Sequence, residues 1–448
     1  MTRPIPLVPS DSLFPVLSVL RSARQMSRSE LVHRTGRSRK AVVQRVEELI
    51  ASGLAEEGEL GRSTGGRAPR EVKFRANGAN LLVAEVAATS VTVGLTDLTG
   101  TILHEVKEAA VREAGPDVTL AQVERLFDAL MAARPADSPP IWGVGIGVPG
   151  PVAVATGRPI GALSIPGWAD YPVRARLAAR YDVPVWVDNE ANLMALGELR
   201  AGLGSSHQDL LFIKVGSGIG GAVVSSGTLS RGSQGFAGEI GHVLVSADVP
   251  STCWCGQSGC LTQIAGGKAL GNEGRAAALD GRSPILAAIK AEGRTIGARE
   301  VFTAASAGDS TSTQLLTHAG QLLGQVTSVL VSVLNPSLIL IGGGLVSLDD
   351  PFMTAFRTAV LARSLPNATS ILEIALSPLG SSAGLMGAAY MVVDELLSPQ
   401  RLGLWSEHGT PAGCADVIHQ GSASSRGAMR SGAHTARPAA VRVGQMQQ

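Results

Sequence analysis

The sequence predicts an α/β body preceded by an all-α, winged helix-turn-helix domain. Three observations predict it. Residues 13–50 carry apolar side chains at helical spacing, punctuated by helix caps and one glycine turn. From residue 81 onward the composition changes to short apolar strands, glycine turns and alanine-rich helices. Charge is divided unequally: 38 basic and 37 acidic residues nearly balance over 448. Between Arg21 and Arg75, however, 13 Lys/Arg face 7 Asp/Glu, a local excess of +6 that leaves the remainder at −5. A basic block on a mildly acidic protein implies a polyanionic partner for that block alone. The organisation is read as 1–78, a DNA-binding domain; 79–398, the α/β body; and 399–448, an unstructured tail.

In chain order, residues 13–20 form a first helix on a small core. Ser27 caps the next, over 28–35, and Glu30 completes a capping box. Gly36 supplies the turn, and Ser38 caps a third helix with Ala41, Val42, Val46, Leu49 and Ile50 on one stripe. Arg39, Lys40, Val43, Gln44 and Arg45 lie around its other faces near the N-terminal end, where a recognition helix meets base edges in the major groove. Two strand-like runs, 54–57 and 71–74, flank a glycine-rich loop. A hairpin there is a wing, whose Arg62, Arg67 and Arg70 are placed to reach phosphates or a narrow minor groove. The expected partner is double-stranded operator DNA.

In the body, residues 81–85, 91–96, 101–106, 144–148, 183–187, 210–215 and 338–341 read as strands with helices between them. Six motifs follow in order: Gly-Val-Gly-Ile-Gly-Val-Pro-Gly-Pro-Val at 143–152, Val-Asp-Asn-Glu-Ala-Asn at 187–192, Val-Gly-Ser-Gly-Ile-Gly-Gly at 215–221, Gly-Glu-Ile-Gly-His at 238–242, Cys-Trp-Cys-Gly-Gln-Ser-Gly-Cys at 253–260 and Ile-Gly-Gly-Gly at 341–344. On these motifs the chain resembles the ROK family (repressor, open reading frame, kinase), as a repressor-type member with an N-terminal winged helix. The resemblance spans roughly residues 12–395. It implies an actin-like, sugar-kinase pair of lobes closing over a cleft, and assembly as a dimer or tetramer.

His242, Cys253, Cys255 and Cys260 offer one imidazole and three thiolates, a set that closes a tetrahedral structural zinc site. The fourth cysteine, Cys414, has no evident ligand partners. The resemblance assigns sugar contacts to Asn189, Glu190, Glu239 and His242, and departs from the family at Thr262, where a glutamate is usual. Phosphoryl transfer needs a carboxylate base at the acceptor hydroxyl and loops for metal and phosphates. The family's base position, an aspartate, is Glu190 here, one methylene longer. The first phosphate loop reads Glu85-Val86-Ala87-Ala88-Thr89, with glutamate for the metal-side aspartate and alanine where glycine lets backbone approach phosphate. The second loop keeps Gly216, Gly218 and Gly220, and Gly343 belongs to the last motif. ATP and Mg2+ are therefore not expected as cofactors.

Pro4, Pro6, Pro9 and Asp11 interrupt any signal-peptide pattern, no apolar run suits a membrane span, and clustered cysteines fit a reducing compartment; the expected location is cytoplasmic, away from membranes. The leading expectation is a homo-oligomeric, sugar-responsive DNA-binding regulator, a repressor rather than an activator, with a sugar or sugar phosphate as effector. The alternatives are an active ATP-dependent kinase of hexoses or N-acetylhexosamines bearing a DNA-binding domain, and a regulator controlled by a protein partner.

Overall fold

Serine caps set the geometry of the N-terminal domain. The computed structural model describes residues 13–60, 70–110, 114–161, 167–247, 251–347 and 349–420. Helices α1 (Phe14–Ala23), α2 (Arg28–Thr35) and α3 (Arg39–Ala51) bury Val16, Leu20, Leu31, Val42, Val46 and Leu49 against one another. Ser27 Oγ accepts the Glu30 N–H while the Ser27 N–H donates to Glu30 Oε2 at 2.8 Å, a reciprocal cap. Gly36 closes α2 at φ +65°, and Ser38 caps α3 through the Ala41 N–H. Strands β1 (Gln25–Ser27), β2 (Ala55–Leu60) and β3 (Arg70–Phe74) form a sheet in the order β1-β3-β2. Three residues are too few for β1 to show alternation, so the sequence reading had only the β2–β3 hairpin.

Among the described residues the body contains two five-stranded sheets. The first uses β4 (Asn80–Val86), β5 (Ser90–Asp97), β6 (Ile102–Ala109) and β7 (Ile141–Val148). A small ribbon of β8 (Val152–Ala153) and β9 (Arg158–Pro159) follows, and β10 (Val185–Asn189) completes the sheet in the order β10-β7-β4-β5-β6. The second uses β11 (Leu210–Val215), β12 (Ile219–Ser225), β13 (Thr228–Ser230), β14 (Leu338–Gly342) and β15 (Glu373–Leu376), in the order β13-β12-β11-β14-β15. Each sheet therefore has an antiparallel three-strand meander with two parallel strands added beside its first strand. This repeat is the actin-like, two-lobed architecture the resemblance implies.

Helices α4 (Pro116–Ala132) and α5 (Val173–Tyr181) pack beside the first sheet; α6 (Glu190–Ala201) leaves β10 and lies against both sheets. Beyond β13 come α7 (Leu261–Ala265), α8 (Gly267–Leu279), α9 (Pro284–Ala291), α10 (Ala298–Ser306), the long α11 (Ser310–Leu334), α12 (Pro351–Arg363) and α13 (Pro366–Thr369). Helix α14 (Ala383–Leu396) packs along α6, β4 and β7. The two domains share one apolar cluster, and Arg21 of α1 pairs with Asp394 of α14 at 2.9 Å.

The expectation of an unstructured tail from residue 399 needs correcting over its first part. After α15 (Leu402–Trp405), the chain packs back on the body through residue 419. Trp405 is fully buried edge-on to Trp142 at 4.9 Å, and its indole N–H donates to the Leu396 carbonyl. His419 lies 5.1 Å from the Trp186 ring, and its Nε2 accepts the Val185 N–H at 3.2 Å. Burial, with Arg174 and Arg401 nearby, pushes its pKa down to about 3, consistent with a neutral acceptor. Isolated apolar residues without a period hid this packing from the sequence. Residues 421–448 lie outside the described residues. Among the described residues no helix is long and apolar enough to cross a membrane.

Candidate functional site

The site grows from the step where β10 becomes α6. Asn189 caps the helix: its Oδ1 accepts the N–H groups of Ala191 and Asn192, and its amide donates to the Gly150 carbonyl at 2.9 Å. Its carboxamide oxygen is thus committed to holding the turn and one amide N–H to Gly150, leaving a single amide N–H for any ligand. Asp188, buried behind it, accepts from the Asn189 N–H, from Asn192 Nδ2 at 2.9 Å and from Arg231 Nε at 2.6 Å. This supporting network has no local signature in the sequence, because Asp188 lies near the end of a strand, Asn192 lies in the first turn of the next helix and Arg231 is remote.

Glu190 then projects between the two sheets. Lys214, from β11 of the second sheet, places its ammonium 2.5 Å from Glu190 Oε1, with both side chains largely buried. Glu190 Oε2 is buried and has no hydrogen-bond partner among the described residues. In the sequence Lys214 reads only as part of the strand 210–215. Glu85, from β4, completes the group: burial is the chief cause that pushes its pKa up to about 7, with Glu190 adding and Lys214 opposing. Burial, helped by the Glu190 charge, likewise pushes Glu239 up to about 7. Glu239 Oε2 is 3.9 Å from His242 Nε2, so these two sequence-predicted residues meet, and the Glu190 charge acts on Glu239.

His242 faces two ways. Its Nδ1 is 3.7 Å from Cys253 Sγ, while Cys255 and Cys260 Sγ are 3.5 Å apart. One ligand atom from each of the four residues falls within 4.8 Å of all the others, so the cluster can hold a metal ion. Burial lowers the His242 pKa, favouring the neutral, ligating imidazole, and pushes the Cys260 thiol up to about 12. Burial raises the Cys253 thiol as well, so these two thiols are costly as bare thiolates and suited to a cation. Trp254 stands edge-on to His242 at 4.2 Å.

The two candidate phosphate loops differ. The first is a tight hairpin, in which the Ala87 N–H donates to Ser90 O and Thr89 O receives the Ala110 N–H; Thr89 is exposed. The second bonds to α8, with the N–H groups of Gly267 and Lys268 donating to the carbonyls of Gly216 and Ser217. Thr262 also holds this loop, because its hydroxyl accepts the Ile219 N–H at 3.1 Å. The hydroxyl standing where the family has a carboxylate is therefore occupied with backbone. Gly343, at φ +105°, presses on Val215: a Cβ there would lie 2.2 Å from the Val215 carbonyl oxygen. Gly218 and Gly220 line the same loop.

On the N-terminal domain Arg39, Lys40 and Gln44 are exposed, and Val43 and Arg45 half-exposed, at the start of α3. Arg45 pairs with Glu48, and Gln44 Nε2 donates to Glu48 Oε1 at 3.1 Å. Arg70 is exposed at the start of β3; Arg62 and Arg67 lie outside the described residues.

The sequence profile described as the ROK family matches residues 83–395. A glucokinase of Halalkalibacterium halodurans is 29% identical over 311 residues, covering 69% of this chain and 94% of the relative. The xylose repressor of Caldicellulosiruptor bescii is 27% identical over 386 residues, covering 86% of this chain and 95% of the relative. That match is longer than the stretch from residue 83 to the chain's end, so it takes in part of the N-terminal domain. A solved structure described as a ROK family transcriptional regulator, homolog of E. coli MLC protein, superposes with a TM-score of 0.73 at 22% identity, over 86% of this chain and 96% of that one. The chain belongs to the ROK family, and its architecture is that of the family's repressor-type members.

Proposed function

We propose that this chain is a DNA-binding transcriptional regulator, a repressor by analogy with the xylose repressors, whose ROK body senses a sugar or sugar phosphate without phosphorylating it. The observation that carries the reading is the exposed, basic start of α3 on a domain packed against a ROK body. Arg39, Lys40, Val43, Gln44 and Arg45 would face base edges, with Arg70 at a phosphate; Arg45 would exchange Glu48 for DNA. Two copies would span a pseudo-palindromic operator. Val329 and Val333, one turn apart on α11 and 61% and 72% exposed, offer an apolar face for the second copy.

In the body, Glu190 Oε2 would accept a sugar hydroxyl, with Glu239, His242 and the Asn189 amide completing the contacts. Zinc is the metal that three thiolates and one imidazole fit, and it would hold His242 beside Glu239. Metal analysis of purified protein should return one zinc per chain. The route from site to DNA reader is supported by α6: it starts at Glu190 and ends near Arg200, which pairs with Asp394 at 2.8 Å, and Asp394 also holds Arg21 of α1. A sugar favouring one lobe arrangement would bias DNA affinity by its difference in affinity for the two states.

Gel shifts with genomic operator fragments, repeated with D-xylose, D-glucose and their phosphates, test the reading. Retention of DNA and release by one sugar are expected; DNA binding that no sugar alters removes the sensing role. The kinase reading draws on the surviving Gly216, Gly218 and Gly220 and on the glucokinase relatives. Coupled ADP release from D-glucose, abolished by Glu190→Gln, would establish it.

A further inference from the structure

Carboxylates from three parts of the fold approach one ammonium: Glu85 on β4 is in register with Gly147, where a Cβ would lie 3.5 Å from the Glu190 Cα at the start of α6, and the Glu190 charge acts on both Glu85 and Glu239. Lys214 is the penultimate residue of β11. Its partners in register are Gly220 on β12 and Gly342 on β14, neither with a side chain to crowd it. The ammonium contacts Glu190 Oε1 at 2.5 Å and is the charge acting most strongly on Glu85. Hard divalent cations seek oxygen ligands of this kind, and a phosphoryl donor brings such a cation with it.

We propose that Lys214 is a resident cation, holding the place between Glu85 and Glu190 that a divalent ion would take, so that the site binds an uncharged sugar with neither metal nor nucleotide. The choice of ligand rests on the sugar-sensing reading above; the exclusion of divalent ions does not. The lysine offsets the carboxylates that would recruit Mg2+ and occupies one oxygen of Glu190. Glu190 Oε2, buried and without a partner among the described residues, is left for a hydroxyl donor. A free ion entering the site must displace a covalently tethered ammonium whose local concentration it cannot match.

The test uses Mn2+, observed by electron paramagnetic resonance, on the full chain with its Cys/His cluster loaded with zinc, which is silent in that measurement. Wild type should bind no Mn2+ below the millimolar range. Lys214→Met should bind one ion at least tenfold more tightly, Lys214→Arg should behave as wild type, and adding Glu85→Gln to Lys214→Met should abolish the gain. Lys214→Gln, which keeps a polar head without charge, carries the same expectation should the methionine variant not fold. Equal Mn2+ affinity in wild type and the neutral variants overturns the proposal, as does wild type that binds D-glucose or D-xylose only with Mn2+ present. A protein binding neither sugar under any condition removes the sugar reading, and the Mn2+ comparison still decides the role of Lys214.

Discussion

The two sheets of the body repeat one strand order, and the contrast between them lies at equivalent positions. Each sheet's first strand carries an ionisable residue one place from its end, Glu85 in β4 and Lys214 in β11. Each is paired in register with a glycine on the neighbouring parallel strand, Gly147 and Gly342. The signs are opposite, and the two act on each other across the junction with Glu190. A duplicated architecture has thus supplied a charge and its counter-charge from its two halves. Backbone topology fixes where these side chains meet; residue identity decides whether the meeting place takes metal and phosphate or an internal ion pair.

Reversing one sign is the most severe way to break this arrangement. Lys214→Glu would leave Glu85, Glu190 and Glu239 facing a fourth carboxylate in a largely buried place. A loss of about 3–5 kcal/mol is expected, the range seen when one member of a buried pair is removed. Thermal and urea unfolding would measure it. Combining Lys214→Glu with Glu85→Lys should recover part of the loss in a double-mutant cycle, and additive effects would show that the two halves do not interact.

The glycines behind each charge give the next largest effect. A Cβ on Gly384, at the start of α14, would lie 1.9 Å from Glu85 Oε2, and one on Gly343 would lie 2.2 Å from the Val215 carbonyl oxygen. Alanine at either position should cost about 1–3 kcal/mol through overpacking. The two should differ in kind: Gly384→Ala displaces the Glu85 carboxylate and alters the pH dependence of stability, while Gly343→Ala distorts the second glycine loop and leaves that dependence unchanged.

What the sequence made legible follows from the range of each interaction. The Ser27–Glu30 cap, the Gly36 turn and the Cys253, Cys255, Cys260 and His242 set are local patterns with residue-specific chemistry, and the fold brings them together as read. Sugar-contact assignments to Glu190, Glu239 and His242 rest on motifs; of these, Glu239 and His242 lie 3.9 Å apart and the Glu190 charge acts on Glu239. The repeat of the sheets was hidden, since strand pairing is non-local and β13 and β15 are short. Lys214 was hidden because a single cation in an apolar strand reveals neither its face nor its partner. Trp405, Ile418 and His419 were hidden for a related reason: their stretch has no apolar period, and their partners, among them Trp142, Trp186 and β10, lie far away in sequence.

Titration sharpens the comparison further, since Glu85 is raised and its counterpart is a lysine. With its pKa pushed up to about 7 from the ordinary 4.5, Glu85 holds a proton in the folded state that the unfolded chain has released. Stability should therefore fall as pH rises from about 4.5 to 7, by at most about 1.4 kcal/mol per unit, and this contribution should level off above 7. The charges acting on the group are Lys214, Glu190, Lys107 and Glu105. Urea unfolding across this range, wild type against Glu85→Gln, reads the contribution directly. An unchanged slope in the variant would place the proton elsewhere.

The smallest effect on stability should come from a partly exposed contact between the two domains, and it discriminates most sharply between packing and signalling. Arg21 and Arg200 share Asp394, and all three side chains are about a quarter or more exposed, so the pair between domains contributes below about 1 kcal/mol. Arg21→Ala should leave the unfolding midpoint and the affinity for sugar close to wild type. If Asp394 carries the state of α6 to the DNA reader, the same change should nonetheless abolish the effect of sugar on operator affinity in gel shifts, and Asp394→Asn should do so as well. Arg125→Ala, which breaks an exposed pair with Glu108 on the far edge of the first sheet, is the control that alters charge equally and should leave the sugar effect intact. Should all three variants respond to sugar alike, the α6–α14–α1 contact is only packing, and the signal passes through the apolar cluster the two domains share.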